Sequence, residues 1–158
     1  MSERLVLKGG DAVLYEGVMH DSVVIVDNGS IANVCPAENY LPADRDRIVD
    51  CSGHFVCPGF IDLHNQGGGG YTVLDGSEEH VFGMCRAHAK HGTTGLLLTP
   101  PIEMFSYRVL LPELAAAVGK DTGGAAVLGI HAEGPFVNPA KKGCMSDHWI
   151  HDPDRAML

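Results

Sequence analysis

The first part of the chain, residues 1–57, alternates short apolar runs with turn residues. "RLVLKGG" and "DAVLY" meet at the glycine pair Gly9–Gly10, and an Asp-Asn-Gly turn divides "SVVIVDNGSIANVCP" into two β-branched runs. "DRIVDCSGHFVCPG" adds two further short runs around Ser52–Gly53. Short runs of this kind, bounded by glycine and asparagine, are typical of strands joined by tight turns. We therefore predict a small β-meander over residues 1–57, as one segment of a β-sandwich.

From Pro58 onward the pattern changes. "GFIDLH", "TTGLLLTPP" and "AAVLGIHAEGP" are apolar runs typical of buried parallel strands. Between them, "SEEHVFGMCRAHAKHG" has helix signals, with Ser77 as the N-cap and Gly92 as the terminator. "SYRVLLPELAAAVGK" is a second helical stretch, in which Pro112 either begins a new helix or kinks one. Alternating strands and helices predict an α/β fold with a parallel sheet and right-handed crossovers.

The segment 58–158 supplies three such strands, which are too few to close a barrel. A three-stranded parallel sheet that is apolar on both faces would leave two strand edges unpaired and would be a poor free-standing fold. We therefore expect the chain to be the N-terminal part of a longer protein, with residues 58–158 forming the first part of its barrel.

Composition narrows the class of protein. The chain is 45% hydrophobic and 20% charged, as in ordinary soluble domains, and its net charge of -9 argues against nucleic acid or an anionic membrane as a partner. The N-terminus lacks the apolar core of a signal peptide, and no apolar run approaches the roughly 20 residues that span a bilayer. We expect a cytoplasmic protein whose five cysteines, which form no C-x-x-C pair, are free thiols.

Polar residues lie at the ends of the first and third strands of the repeat, where βα-proteins place their chemistry. Because side chains alternate along a strand, Asp62, His64 and Gln66 share one face, and His131 and Glu133 share another. If both faces point into one cavity, His64 and Glu133 converge on a single ion.

Most of the candidate residues also have a simpler explanation. A lone histidine at a strand end is more often a structural residue than a metal ligand, by roughly three to one. Gln66 is a weak ligand, Gly67–Gly70 is by itself only a mobile loop, and His88 with His91 suits the negative end of a helix dipole. Glu133 is harder to explain in this way, because a buried carboxylate is costly without a cation.

The stretches "PGFIDLHNQG", "HGTTGLLLTP" and "GIHAEGPFVNPAKKG" follow a β-rich start in this order. In this arrangement the chain resembles the amidohydrolase superfamily and, within it, the N-acetylglucosamine-6-phosphate deacetylase family. The resemblance covers essentially the whole chain, and "HAEGPFVNPAKKG" is its most specific part. It implies a (β/α)₈ barrel with a small β-sandwich built from both chain ends. It also implies hydrolysis of the acetamide of N-acetylglucosamine-6-phosphate to glucosamine-6-phosphate and acetate.

The same resemblance implies a metal site. Glu133 matches the family's carboxylate ligand to a divalent metal, which we expect to be one Zn²⁺ per site. Most of the superfamily has His-x-His where this chain has His64, Asn65 and Gln66. We therefore expect His64 to be an optional ligand and Gln66 to contact the ligands or the substrate.

Two further positions concern the substrate. Cys144 and Met145 stand where the family has a small residue and a substrate-contacting histidine. Methionine cannot donate a hydrogen bond, so the substrate contact would change. By the resemblance the catalytic aspartate and two histidine ligands lie beyond Leu158, so we expect no catalytic residue within this chain.

The expected partner is therefore a small amino-sugar phosphate, and by analogy with related barrel enzymes we expect a homodimer. Two alternatives stay open. One is an amidohydrolase that acts on another N-acyl sugar. The other is a non-catalytic, truncated or degenerate barrel with a role in binding or assembly.

Overall fold

The computed structural model describes residues 3–100 and 104–157. Contacts between residues divide the chain into two compact units, Met1–Pro58 and Gly59–Leu158. Each unit has its own hydrophobic core. No helix among the described residues has the length and apolar character needed to cross a membrane. All five cysteines lie in the described part of the chain as free thiols, but only Cys85 is buried, whereas we had expected most of them to be buried.

The first unit is a five-stranded sheet with the order β3-β2-β1-β4, in which β5 also pairs with β1. Its strands are β1 (Arg4–Leu14), β2 (Gly17–Asp27), β3 (Ser30–Pro36), β4 (Asp46–Asp50) and β5 (Phe55–Val56). The predicted turn between β2 and β3 is confirmed, with positive φ angles of 51° at Asn28 and 75° at Gly29.

Two predictions for this unit were wrong in part. The Gly9–Gly10 pair does not separate two strands, because β1 continues through it with register shifts on both sides of Gly10. Gly9 has a φ of +83°, so the glycine permits an irregularity within one strand instead of a turn. The sheet is also not a plain meander, since β4 and β5 pair with β1 in parallel.

The second unit contains the predicted βα-repeat. Its elements are β6 (Phe60–Asn65), β7 (Gly67–Gly68), β8 (Tyr71–Thr72), α1 (Glu78–Ala89), β9 (Thr93–Leu98), α2 (Met104–Ala115) and β10 (Ala126–Ile130). The sheet has the order β10-β9-β6 with both pairings parallel, which confirms the α/β prediction. The described residues contain these three parallel strands and no closed barrel.

The helices cover one face of this sheet. Ser77 caps α1 as predicted, with its hydroxyl accepting a hydrogen bond from the His80 backbone N–H at 3.4 Å, and Pro112 lies inside α2. Buried apolar side chains fill the space between helices and sheet: Val73, Val81, Met84, Cys85, Leu96, Leu98, Leu110, Leu114, Ala117, Ala125 and Val127.

We had predicted that the strands of this sheet are apolar and buried on both faces, and this prediction was wrong for β6 and β10. Phe60 and Leu63 on β6 and Leu128 on β10 are exposed large hydrophobic side chains. The two edge strands of this sheet, β6 and β10, therefore expose large apolar side chains.

Candidate functional site

Glu133 lies three residues beyond the end of β10, and His64 and Gln66 lie at the end of β6. The Gln66 side-chain amide donates a hydrogen bond to Glu133 Oε2 at 2.9 Å. His64 Nε2 lies 3.4 Å from the same oxygen. The side chain of Glu133 is 28% exposed and that of His64 is 49% exposed, so the carboxylate is partly shielded yet open to solvent. The structure thus brings together two residues of the predicted metal site.

His131 directly follows β10 and contacts the backbone of β6. Its Nδ1 lies 2.9 Å from the carbonyl oxygen of Leu63. A carbonyl can only accept, so Nδ1 carries the proton and donates this bond, which leaves Nε2 as the nitrogen with a free lone pair in the neutral ring. The ring also meets His64 edge-on, with 5.2 Å between centroids and an interplanar angle of 89°. His131 therefore restricts the orientation of the His64 imidazole.

The residues after Glu133 turn the chain sharply. Gly134 has a φ of +91°, a left-handed backbone conformation that a residue with a Cβ rarely adopts, and the Gly134–Pro135 peptide bond is cis. Pro135 is buried, and its carbonyl oxygen accepts a hydrogen bond from the His151 backbone N–H at 3.1 Å. The Glu-Gly-Pro sequence is therefore a built turn that holds Glu133 at the strand end.

Asp62 does not join the carboxylate of Glu133, although strand alternation predicts the same face for Asp62 and His64. Its Oδ2 accepts a hydrogen bond from Asn65 Nδ2 at 2.7 Å, and its Oδ1 accepts one from the His64 backbone N–H at 3.1 Å. The bond from Asn65 lowers the pKa of Asp62 below its usual value, against the opposing effect of burial. The alternation fails because the pairing of β6 with β9 is irregular between Asp62 and Asn65.

Cys144 and Met145 lie in the segment that follows the Glu-Gly-Pro turn. Cys144 is exposed, and Met145 is half-buried. Met145 is held by Lys142, whose Nζ donates to the Met145 carbonyl oxygen at 2.8 Å and whose own carbonyl oxygen accepts from the Met145 N–H at 3.2 Å. The substrate role of these two residues stays a prediction.

The glycine run, which we had expected to be only a mobile loop, forms a short hairpin of β7 and β8. Gly69 and Gly70 form its turn with φ angles of +62° and +88°. The hairpin contacts α1 through His88, whose Nε2 lies 3.2 Å from the Gly67 carbonyl oxygen and 3.0 Å from Asn65 Nδ2. This contact was not predicted, because His88 and His91 were interpreted as cationic side chains at the negative end of the helix dipole.

The donor types at Glu133 suit a divalent metal, but the described set is incomplete. A carboxylate and an imidazole are ligands that zinc takes, and a zinc site needs at least three protein ligands. Among the residues that the structure describes, no three His, Cys, Asp or Glu side chains gather so that they could hold one ion. Glu133 and His64 would therefore hold a metal only together with further ligands.

Comparison with known proteins identifies relatives over nearly the whole chain. The N-acetylglucosamine-6-phosphate deacetylase of Bacillus subtilis is 30% identical over 158 residues, which is 98% of this chain and 40% of the relative. A crystal structure of the deacetylase of that name from Pasteurella multocida superimposes with a TM-score of 0.82 at 25% identity, covering 98% of this chain and 40% of that structure. The chain matches the N-terminal portion of N-acetylglucosamine-6-phosphate deacetylases. No protein-family model matches the sequence.

A third comparison bears on the fold alone. A mutant N-acetyl-D-glucosamine-6-phosphate deacetylase from Mycobacterium smegmatis, solved in complex with N-acetyl-D-glucosamine-6-phosphate, has a TM-score of 0.82 at 22% identity over 99% of this chain and 39% of that structure. The chain thus spans about 40% of the length of the deacetylases it matches. The comparisons therefore show that this chain is similar to the matched part of these deacetylases.

Proposed function

We propose that this chain contributes one side of the active site of a metal-dependent deacetylase. The substrate would be N-acetylglucosamine-6-phosphate, and the products glucosamine-6-phosphate and acetate. The proposal rests on one observation. His64 and Gln66, at the end of β6, both lie close to one carboxylate oxygen of Glu133, which follows β10. The named activity of the relatives supports the choice of reaction and substrate.

Each residue of this cluster has a chemical task in the proposed reaction. An amide is a poor electrophile, and a divalent metal held at Glu133 would act as a Lewis acid toward the acetamide carbonyl. Glu133 would contribute the negative charge and His64 a neutral nitrogen donor. Gln66 would orient the carboxylate through the 2.9 Å hydrogen bond to Oε2.

The cluster favours one ion over a two-metal site. The end of β6 offers a single imidazole, because Gln66 stands where a second histidine would be needed. The Gln66 amide also donates to the Glu133 oxygen that faces β6, so that oxygen already has one hydrogen-bond partner. We therefore expect about one zinc equivalent per active site in metal analysis of the full-length protein, and two tightly bound equivalents would contradict this.

Turnover of the full-length protein tests the reaction. Glu133→Gln preserves size and removes the charge, and we expect it to lower kcat/KM for N-acetylglucosamine-6-phosphate by roughly 100-fold or more, about 2.7 kcal/mol in the transition state. Glu79→Gln, an exposed carboxylate in the first turn of α1, is the matched control and should leave the rate unchanged. Equal rates for both variants would refute the role of Glu133.

The substrate is tested by comparing the phosphorylated and unphosphorylated sugars and other N-acyl sugars. Met145 offers no side-chain hydrogen-bond donor, which favours an altered contact to the sugar or its phosphate. Preference for another N-acyl sugar would identify the altered-substrate alternative. Binding of N-acetylglucosamine-6-phosphate without turnover, in protein loaded with zinc, would instead favour the binding alternative. The expected homodimer is tested by light scattering of the full-length protein.

A further inference from the structure

The end of β6 carries a buried polar cluster at its contact with α1. Asn65 lies between His64 and Gln66 in sequence, and its side chain contacts α1 instead of Glu133. It is only 4% exposed. Its amide Nδ2 donates to Asp62 Oδ2 at 2.7 Å and lies 3.0 Å from His88 Nε2 on α1. One side chain therefore joins the strand end to the helix that covers it.

The backbone of Asn65 is held by Thr99, the residue that follows β9. Its N–H donates to Thr99 Oγ1 at 3.0 Å, and its carbonyl oxygen accepts from the Thr99 N–H at 2.8 Å. His88 Nε2 is also 3.2 Å from the carbonyl oxygen of Gly67, two residues further along. A protonated Nε2 donates to Gly67, and an unprotonated Nε2 accepts from Asn65. In either tautomer the imidazole binds the strand end to α1.

The choice of asparagine at this position carries a cost in stability. Its side-chain oxygen, Oδ1, is buried and has no hydrogen-bond partner among the described residues. Leucine would fill a similar volume without burying an unsatisfied acceptor. A residue that is costly for folding and whose side-chain amide lies within hydrogen-bond distance of two fixed groups is expected where geometry has to be set for a site.

We propose that Asn65 is a positioning residue which, held by Asp62 and His88, sets the approach of His64 and Gln66 to Glu133. The inference rests on the proposed deacetylase function and extends it by assigning the alignment of the site to α1. Its physical basis is the place of Asn65 directly between His64 and Gln66 in the chain, where its side chain and backbone are both hydrogen-bonded. A small rotation or slip of the strand at Asn65 moves both neighbouring side chains away from the carboxylate at once.

Substitution of His88 in the full-length protein tests the proposal. His88→Leu removes both hydrogen bonds, whereas the carboxamide of His88→Gln can accept from Asn65 and donate to Gly67. We expect His88→Leu to lower kcat for N-acetylglucosamine-6-phosphate by roughly 10- to 100-fold with KM within about threefold, and His88→Gln to restore kcat to within about threefold. Asn65→Leu, which keeps the packed volume, should behave like His88→Leu.

Hydrogen exchange measured by mass spectrometry gives a readout that does not need turnover. In His88→Leu and Asn65→Leu, amides of residues 64–70 should exchange at least roughly 10-fold faster than in the wild type, with the slow rate restored in His88→Gln. His91→Leu is the matched control, since His91 is exposed beyond the end of α1, and it should change neither readout.

The two readouts separate this proposal from the deacetylase function. If the wild-type protein has no deacetylase activity, the function proposal fails, and the exchange rates of residues 64–70 alone decide the role of Asn65. Unchanged exchange in both leucine variants overturns the positioning role. Faster exchange with an unchanged kcat in an active protein also overturns it, because Asn65 would then serve stability alone.

Discussion

Replacement of Gly68 by alanine gives a sharp test of the contact between the glycine hairpin and α1. A Cβ built on Gly68 would lie less than 3.0 Å from His88 Nε2 and 3.1 Å from both Cδ2 and Cε1. Gly68 does not have a positive φ, so the backbone itself would accept alanine. The effect of the substitution therefore reports only on the space between the hairpin and the imidazole.

The size of the effect follows from these distances. Ordinary carbon contacts begin at 3.4 Å, so the ring has to retreat by more than 0.4 Å. His88 Nε2 is 3.0 Å from Asn65 Nδ2 and 3.2 Å from the Gly67 oxygen, and a displaced ring loses at least one of these interactions. Overpacking costs about 1–3 kcal/mol and a lost hydrogen bond about 0.5–1.5 kcal/mol. We expect Gly68→Ala to lower the free energy of unfolding by about 2–4 kcal/mol.

A double-mutant cycle in urea, followed by circular dichroism, isolates the clash. In the His88→Ala background the added methyl group no longer meets a ring, so Gly68→Ala should cost less than about 1 kcal/mol there. The coupling free energy should then be about 1–4 kcal/mol, with unchanged m-values. If Gly68→Ala costs the same in both backgrounds, the alanine does not clash with His88, and the reasoning about this contact is wrong.

Three further predictions concern the scaffold. Leu96→Ala, at a fully buried position, should lower the free energy of unfolding by about 2–5 kcal/mol in urea, whereas Leu128→Ala, at a half-exposed one, should cost less than about 1 kcal/mol; equal losses would contradict the assigned core. Hydrogen bonds from Arg4 hold the pKa of Asp46 well below its unfolded value of 3.8, so the stabilisation they give is present above that pH and is lost as the pH falls below it. An acid titration followed by circular dichroism should show this loss, and Asp46→Asn should remove the part of the pH dependence that comes from Asp46. Ser77→Ala should cost about 0.5–2 kcal/mol through the lost N-cap, and Ser77→Asp should restore most of it; full stability in the alanine variant would show that the cap contributes nothing.

The elements of the second unit could be predicted from the sequence because their signals are local. Ser77 caps α1, and the apolar runs of β6, β9 and β10 stand at the spacing of a βα-repeat. The first unit was harder. Gly9–Gly10 looks like a turn in a linear reading, yet β2 pairs with β1 on both sides of the glycines. Long-range pairing therefore overrode a local turn signal, which no pattern within ten residues can reveal.

Part of the candidate site could also be predicted, because its residues lie at the ends of strands that the sequence identifies. Parallel strands place their carboxyl ends at one edge of a sheet, so the polar residues at the ends of the first and third strands led us to expect His64 near Glu133 if both faced one cavity. The prediction for Asp62 failed, since it assumed regular alternation through a part of β6 where the pairing with β9 is irregular. Asp62 instead accepts a hydrogen bond from the Asn65 side-chain amide at 2.7 Å.

The contact of Asn65 with His88 could not be predicted from the sequence. A polar residue at the end of an apolar strand is a signal that the sequence contains, but regular alternation does not predict that Asn65 faces α1, because the pairing of β6 with β9 is irregular between Asp62 and Asn65. What it meets there depends on which turn of α1 packs over the end of β6, and that position is set by core packing far from either residue. A buried amide between two candidate site residues therefore indicates a hydrogen-bonding partner on the helix that covers it, and in this chain that partner is His88.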